Sequence, residues 1–513
     1  MKKILNILFA GLMLTALNAC SDLDTTPYVG EVSDLVYQDA DNYKKVLAKL
    51  YAGLAVSGIE PQDGNVDLKG IDGGSQSYLR AYWYLQEFTT DEAVVGWGDP
   101  GLPDLHASSW TASNQWTSNF YSRTLYQVTV ANEFIRESAP EKLEARGLSG
   151  DTQIPLYRSE AKFLRALAYY HALDMFGNVP FVTENDPVGA FLPEQISRTE
   201  LFNYLETELK ALETELPGPQ GNEYGRADQG AVWMTLAKLY LNAEVYTGTA
   251  KYNEAAEYAK KVIDAGYTLN PNYQANFMAD NDQSNELIFT INYDGNQTAT
   301  WGGTTTLIHA SIGGTMNPAD FGVDGGWSGF RTTKEFVSLF DNGADDRRLL
   351  HSDGQKLEID EIGTFDNGYA VAKWSNLTSA GVPGKSLAHT DTDFGVYRLS
   401  DAYLMYAEAV TRGGSGDQSL ALSLVNQLRT RANATPVTAL TLDFLLDERG
   451  RELFWEAHRR TDLIRFGKFT TGYNWAWKGN VKEGRDIGTH MSLFPIASSD
   501  IVANTNLVQN AGY

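Results

Sequence analysis

Long stretches of this 513-residue chain repeat apolar side chains every three to four residues and follow one another in pairs. Segments patterned in this way must bury one helical face against a neighbour, so the pattern commits most of the chain to packed α-helices. From Arg158 the run carries Phe163, Leu164, Leu167, Tyr170 and Leu173 on one stripe and is stopped by Gly177 and Pro180. A second helix, Ser197 to Leu216, opens on a Ser-x-x-Glu capping box formed by Ser197 and Glu200 and closes at Pro217. Ala231 to Tyr246 and Tyr252 to Ala265 form a pair. A similar pair follows at Leu399 to Thr411 and Gln418 to Ala432.

In the first pair the order Leu236-Ala237, Tyr240, Tyr252, Ala255-Ala256, Tyr258-Ala259 is similar to a tetratricopeptide repeat, without its leading Trp-x-x-Leu-Gly element. Small residues stand where two helices must approach, and stacked pairs bury faces that none could bury alone. The expected fold class is therefore mainly α, with tetratricopeptide-like helix pairs over about 125–290 and 396–470. Residues 58–125 and 290–395 are rich in Gly, Thr, Ser, Trp and Asp and show no sustained 3.6-residue period. They are expected to be long loops with short strands. Loops can be elaborated on a rigid scaffold without disturbing its core, so ligand binding is expected there, over about 58–125 and 290–335.

The N-terminus carries an address. Lys2-Lys3, an apolar run from Ile4 to Leu17, and Leu17-Asn18-Ala19-Cys20 form a secretory signal over residues 1–19, too short to span a bilayer. Cys20 is the only cysteine. An exported lone thiol has no disulfide partner, which leaves covalent lipid attachment as its expected use. Ser21-Asp22-Leu23-Asp24-Thr25-Thr26-Pro27 reads as a solvated acidic tether, with residues 20–40 preceding a single domain at 41–513. The tether resembles the signal that carries Bacteroidetes lipoproteins to the outer face of the outer membrane.

Charge narrows the ligand. The formal net charge is −24, and without Lys2 and Lys3 the mature chain has 39 basic against 65 acidic residues, or −26. Such a surface repels nucleic acid and sulfated or uronic-acid glycans, and suits a neutral ligand better. With 11 Trp, 27 Tyr and 22 Phe, aromatic side chains exceed what a core needs, so some are expected on a surface.

No enzyme motif is complete. Ser379 to Ser386 nearly spells a phosphate-binding loop, but Ser379 stands where the first glycine belongs and no apolar strand precedes it. There is no His-Glu-x-x-His pair, and Trp327-Ser328-Gly329 lacks the spacing of a nucleophile elbow. Asp91 and Glu92 remain as a carboxylate pair for a glycoside hydrolase. Asp280 and Asp282 space oxygen ligands as a calcium loop does, without the mid-loop glycine, and a solvated turn is the favoured reading. No cofactor is required.

Four stretches together resemble the SusD/RagB family of surface glycan-binding lipoproteins. They are Arg158 to Pro180; Tyr397 to Ala409 continuing to Asn426–Ala432; Glu448 to Leu453 with Arg459 to Gly467; and Phe494-Pro495-Ile496 with Gln509 to Tyr513. In this order they cover nearly the whole mature chain. The resemblance implies a non-catalytic body of tetratricopeptide-like helix pairs and a partner, a SusC-like TonB-dependent transporter, over which the lipoprotein sits like a lid. A lid with no ligand site of its own is the rival within the family. Arg449, Arg451, Arg459, Asp462 and Arg465 are expected to pair with Glu408, Glu448 and Glu452 as structural ions.

The likeness extends to the founding, starch-binding member through Gly225-Arg226-Ala227-Asp228, Leu239 to Ala243, Phe277 to Asp282 and Val371 to Trp374. It implies an aromatic arc of Trp97, Trp301 and Trp327 for a curved α-glucan such as starch or a maltooligosaccharide, with Asp72 and Arg80 as polar partners. Val95 replaces an aromatic residue two before Trp97, no Asn stands in Gly98-Asp99-Pro100, and the second Trp of the arc replaces a Tyr. The chemistry follows from the residues: an indole is a stiff apolar plane suited to the C–H face of a pyranose, and charged groups suit its hydroxyl rim.

Overall fold

The computed structural model describes residues 33–340 and 344–513, so the signal segment, Cys20 and the tether as far as residue 32 lie outside it. The principal helices are α1 (Ala40–Ala55), α2 (Tyr78–Glu87), α3 (Gln115–Glu137), α4 (Ile154–Met175), α5 (Arg198–Glu215), α6 (Gln229–Leu241), α7 (Tyr252–Ile263), α8 (Gly303–Ser311), α9 (Leu399–Thr411), α10 (Gln418–Arg431), α11 (Leu442–Leu453) and α12 (Arg459–Arg465). Consecutive members pack side by side, α3 on α4, α4 on α5, α5 on α6, α6 on α7, then α7 on α9 and α9 on α10. This is the succession that the helix pairs predict.

Local signals agree with the boundaries. Ser197 and Glu200 close the capping box on α5. Asp228 accepts from the Ala231 N–H at the start of α6, and Asp417 accepts from Ser419 and Leu420 at the start of α10. Helix α4 is buried on nearly every side, beyond the stripe seen in its sequence, because α1, α3 and α5 all pack on it. Its buried polar groups are paired accordingly: Glu160 accepts from the Tyr51 hydroxyl at 2.6 Å, and Arg165 donates to Asn132 and Glu208, each at 2.7 Å.

The signature charges are structural. Arg465 forks onto Glu408 at 2.7 and 2.8 Å, Arg451 donates to Glu448 at 2.8 Å, and Arg449 bridges Asp401 and Asp462. Arg449 and Arg459 thus depart from the expected glutamate partners, and Arg459 grips Asp91 through two bonds of 2.8 Å. At the centre of a second network Glu452 faces Arg347, Arg398 and Arg431, with Glu286, Glu448 and Glu456 around it. These cations hold the Glu452 carboxyl well below the ordinary carboxylate range against the opposing effect of burial.

Two expectations need correction. The segments 58–125 and 290–395 are not loops and strands alone, since they contain α2, the start of α3, and α8. Tyr78, Leu79, Ala81, Trp83, Tyr84 and Leu85 are all buried in α2, so this helix lacks the polar face that makes a period visible. The tether is also shorter than residues 20–40. Ser33–Val36 forms a helical turn, and Tyr37 is buried against Tyr43 and Phe134, so the packed body begins before Ala40.

Strands are few and short. Those that frame the loops are β1 (Gly58–Glu60) with β2 (Gly64–Val66), β3 (Val94–Val95) with β5 (Phe330–Arg331), and β4 (Leu287–Ile291) with β6 (Phe394–Arg398), each pair antiparallel. In the middle pair Val94 faces Arg331 and Val95 faces Phe330. That register joins two loop regions more than two hundred residues apart in sequence.

Candidate functional site

The β3–β5 pairing brings Trp97 to Trp327. Beyond Val95 the ladder continues with the Gly96 N–H donating to the Gly329 carbonyl at 2.8 Å, and the Trp97 indole N–H donates to the Trp327 carbonyl at 3.2 Å. Helix α8 supplies the third member. Trp301 lies just before its N-terminus, while carbonyls at its C-terminal end, from His309, Ala310 and Ile312, accept the N–H groups of Trp327, Gly329 and Ser328. One short helix thus sets both Trp301 and Trp327.

The three indoles form a run with Trp327 in the middle. Its ring centroid is 6.3 Å from that of Trp97 and 6.1 Å from that of Trp301, with planes inclined at 45° and 52°. Each ring has its own backing: Phe330 behind Trp97 at 5.1 Å, His309 stacked on Trp327 at 4.8 Å, and His389 against Trp301 at 4.5 Å. Trp301 is the most open, at 37% exposure, and the other two are half-buried. A side chain at Gly329 would meet the Trp97 indole at 2.5 Å, so the close fit between these loops requires glycine there.

The two polar residues join the same surface through Gly74. A Cβ built on Gly74 would lie 3.0 Å from Arg80 Nη1, 3.6 Å from Asp72 Oδ1 and 3.8 Å from Trp301 Cβ. Asp72 is exposed and its Oδ1 accepts from the Ser75 N–H at 3.0 Å. Arg80, on α2, donates through Nε to the Tyr84 hydroxyl at 2.8 Å and lies over the Tyr84 and Trp116 rings. Among the described residues its Nη atoms have no hydrogen-bond partner, which leaves them for a ligand. All five candidate residues therefore converge on one surface, apolar along the indoles and charged beside Trp301.

Sequence reasoning missed the residues that hold this surface. Asp63 is buried, sits at φ +61° between β1 and β2, and accepts from the Trp301 N–H at 2.9 Å and the Thr300 hydroxyl at 2.8 Å. The Asp63-Gly64 dipeptide signals a hairpin turn but not what the carboxylate faces. His309 donates through Nδ1–H to the Gly325 carbonyl at 2.7 Å, and burial holds its pKa below the ordinary imidazole value, so it backs Trp327 as a neutral ring.

The carboxylates considered for hydrolysis are already engaged. Asp91 is buried under Arg459 and the Tyr473 hydroxyl, and buried Glu92 accepts from the Trp455 N–H at 2.9 Å. Asp280 binds the Ser379 N–H at 2.8 Å and the Ser379 hydroxyl at 2.5 Å, and that contact places the loop 379–386 in a turn against 278–282. Asp282 is exposed, and no cluster of three metal-ligating side chains occurs among the described residues. Nor is any described helix long and apolar enough to cross a membrane.

Comparison with known proteins adds four findings. Residues 346–513 match the family model described as the SusD family. The chain is 34% identical to the starch-binding protein SusD of Bacteroides thetaiotaomicron, in an alignment that covers 100% of this chain and 99% of that protein. Among solved structures, a laminarin-binding SusD-like protein superposes with a TM-score of 0.71 at 22% identity, covering 93% of this chain and 100% of the other. Surface glycan-binding protein A from Bacteroides thetaiotaomicron, in complex with laminarihexaose, superposes with a TM-score of 0.68 at 21% identity over 92% of this chain and 99% of that one. At that identity the two structures speak for the fold.

Proposed function

This chain belongs to the SusD family, and on that premise we propose that it is a non-catalytic glycan-binding lipoprotein that captures a neutral α-glucan, starch or a maltooligosaccharide, at the cell surface. The observation that carries the reading is the convergence of Trp97, Trp327 and Trp301 in one inclined run beside Asp72 and Arg80. Full-length similarity to a starch-binding protein supports the choice of an α-glucan over the β-glucan bound by more distant structural relatives. Successive inclined rings suit a ligand that curves, and the arginine and aspartate suit hydroxyls at its rim.

The captured glycan passes to a SusC-like TonB-dependent transporter in the outer membrane. Lipid on Cys20 would hold the protein at that membrane, so a modest affinity suffices because tethering keeps the effective concentration of sites high. Replacing Cys20 should release the protein from the membrane fraction while leaving glycan affinity unchanged. A lid without its own ligand site has no use for the indole run, and the engagement of Asp91 and Glu92 speaks against a hydrolase.

Calorimetry against soluble starch, maltoheptaose, laminarin and xylan tests the reading. Heat with the two α-glucans and none with xylan is the expected result. Binding to laminarin alone would move the substrate class to β-glucans, and reducing ends released from starch would replace binding by hydrolysis.

A further inference from the structure

One exposed aromatic residue lies outside the run of indoles in a setting of its own. Tyr224 is 46% exposed, yet its hydroxyl is fixed by a 2.8 Å bond to the buried Asp393 carboxylate, so the ring is both open and immobile. It forms the wall between two hollows. On one side is a groove of about 340 Å³ against α1, which includes Asn292 and Thr298. On the other is a polar hollow of about 210 Å³ lined by Asp228, Tyr267 and Asn285 among others.

The hollow is lined mainly by polar side chains. Tyr267 lines the hollow at 7% exposure, with its hydroxyl enclosed beneath the surface. A fixed aromatic face beside a polar hollow of this size is the arrangement that a sugar ring needs, C–H face on the ring and hydroxyls in the hollow.

Its position ties it to the indole run. Thr298 lines the groove and Trp301 stands three residues later, so at most about 10 Å of chain separates them. The hairpin of β1 and β2 braces the same loop, the Gln62 N–H donating to the Ala299 carbonyl at 2.7 Å. We propose that Tyr224, with the hollow at Tyr267 and Asn285, is a second glycan subsite that engages a further sugar residue of a chain or branch already lying on Trp97, Trp327 and Trp301. The proposal rests on the glycan-binding reading above.

The test compares a short ligand with a long one. Maltotriose and amylopectin are titrated into the full chain and into Tyr224→Ala, Tyr224→Phe and Asn285→Trp, with laminarihexaose and laminarin in parallel. Asn285 is exposed, so its replacement blocks the hollow without touching the Asp393 bond and serves if Tyr224→Ala does not fold. Tyr224→Ala and Asn285→Trp should lose roughly three- to tenfold in affinity for the polymer and nothing for the short ligand, while Tyr224→Phe stays within twofold. Polymer affinity equal to that of the unmodified chain overturns the subsite. So does a loss shared by the short ligand, which signals a disturbed indole run, or an equal loss in Tyr224→Phe, which assigns the effect to the Asp393 bond. If the unmodified chain binds neither glucan, the glycan-binding reading fails first.

Discussion

The Asp63 carboxylate accepts the backbone N–H of Trp301 at 2.9 Å, across 238 residues of sequence, and this bond links the β1–β2 hairpin to the most exposed ring of the site. The same carboxylate accepts from the Ser57 and Thr300 hydroxyls, so it fixes both sides of the turn that presents the indole. Hydrogen bonds to a charged group contribute about 1.5–3 kcal/mol.

Asp63→Ala should therefore loosen Trp301 and lower glycan affinity about tenfold or more, with a shift in Trp fluorescence before ligand is added. Asp63→Asn keeps one acceptor and should recover part of the affinity. Calorimetry on the two variants checks the order; equal affinities in all three proteins would show that the bond does not position the ring.

Trp327 touches both other indoles and lies on His309, whereas Trp97 and Trp301 each touch one. Trp327→Ala should consequently weaken binding more than Trp97→Ala, by at least tenfold, or about 1.4 kcal/mol. Gly329→Ala should approach the Trp97→Ala phenotype without removing any aromatic group, because the new methyl meets the Trp97 ring at 2.5 Å. Titration of a maltooligosaccharide into the three variants measures this directly.

How much of this was legible in the sequence depends on what carried the signal. Helices α7 and α10 announce themselves because each buries one face and wets the other, and each carries with it, as the other half of a pair, the nearly wholly buried α6 or α9. Helix α2 does not, since its residues from Tyr78 to Glu87 are nearly all buried, and no period survives when both faces are inside. Trp97, Trp301 and Trp327 could be grouped only by resemblance. What joins Trp97 to Trp327 is a two-residue ladder between β3 and β5, too short for any alternation to register, and what joins Trp301 to Trp327 is α8. Asp63 and the Tyr224 hollow were illegible for a related reason: a carboxylate in a turn and an exposed tyrosine acquire meaning only from neighbours distant in sequence.

Glu452 is the strongest test of the buried ion network. It is fully buried and contacts Arg347, Arg398 and Arg431, so Glu452→Gln leaves three guanidinium groups short of one charge. Breaking such a network by removing one partner costs about 3–5 kcal/mol. The variant should show a markedly lower midpoint in urea at neutral pH. The gap should close in acid: a carboxyl held below its unfolded value gives stability above that unfolded value and loses it as pH falls through the folded one. A constant gap down to the acid limit would show that shape rather than charge is lost.

Glu87 and Glu92 pull the other way. Both are buried, Glu87 Oε1 accepts from the Ala457 N–H at 2.6 Å, and Glu87 Oε2 has no hydrogen-bond partner among the described residues. Burial, the largest cause, pushes the Glu87 carboxyl up from 4.5 to about 7. A group raised in this way keeps a proton in the folded state that the unfolded chain has released. Stability therefore falls by about 1.4 kcal/mol per pH unit across that window, and is fully present only below it. Glu87→Gln keeps the acceptor for Ala457 and removes the ionisable group, so its melting temperature should match or fall slightly below that of the unmodified chain at pH 5 and exceed it at pH 8. Parallel melting curves that keep the same separation at both pH values would mean that the pair is ionised throughout and that the Gln side chain acts by packing alone.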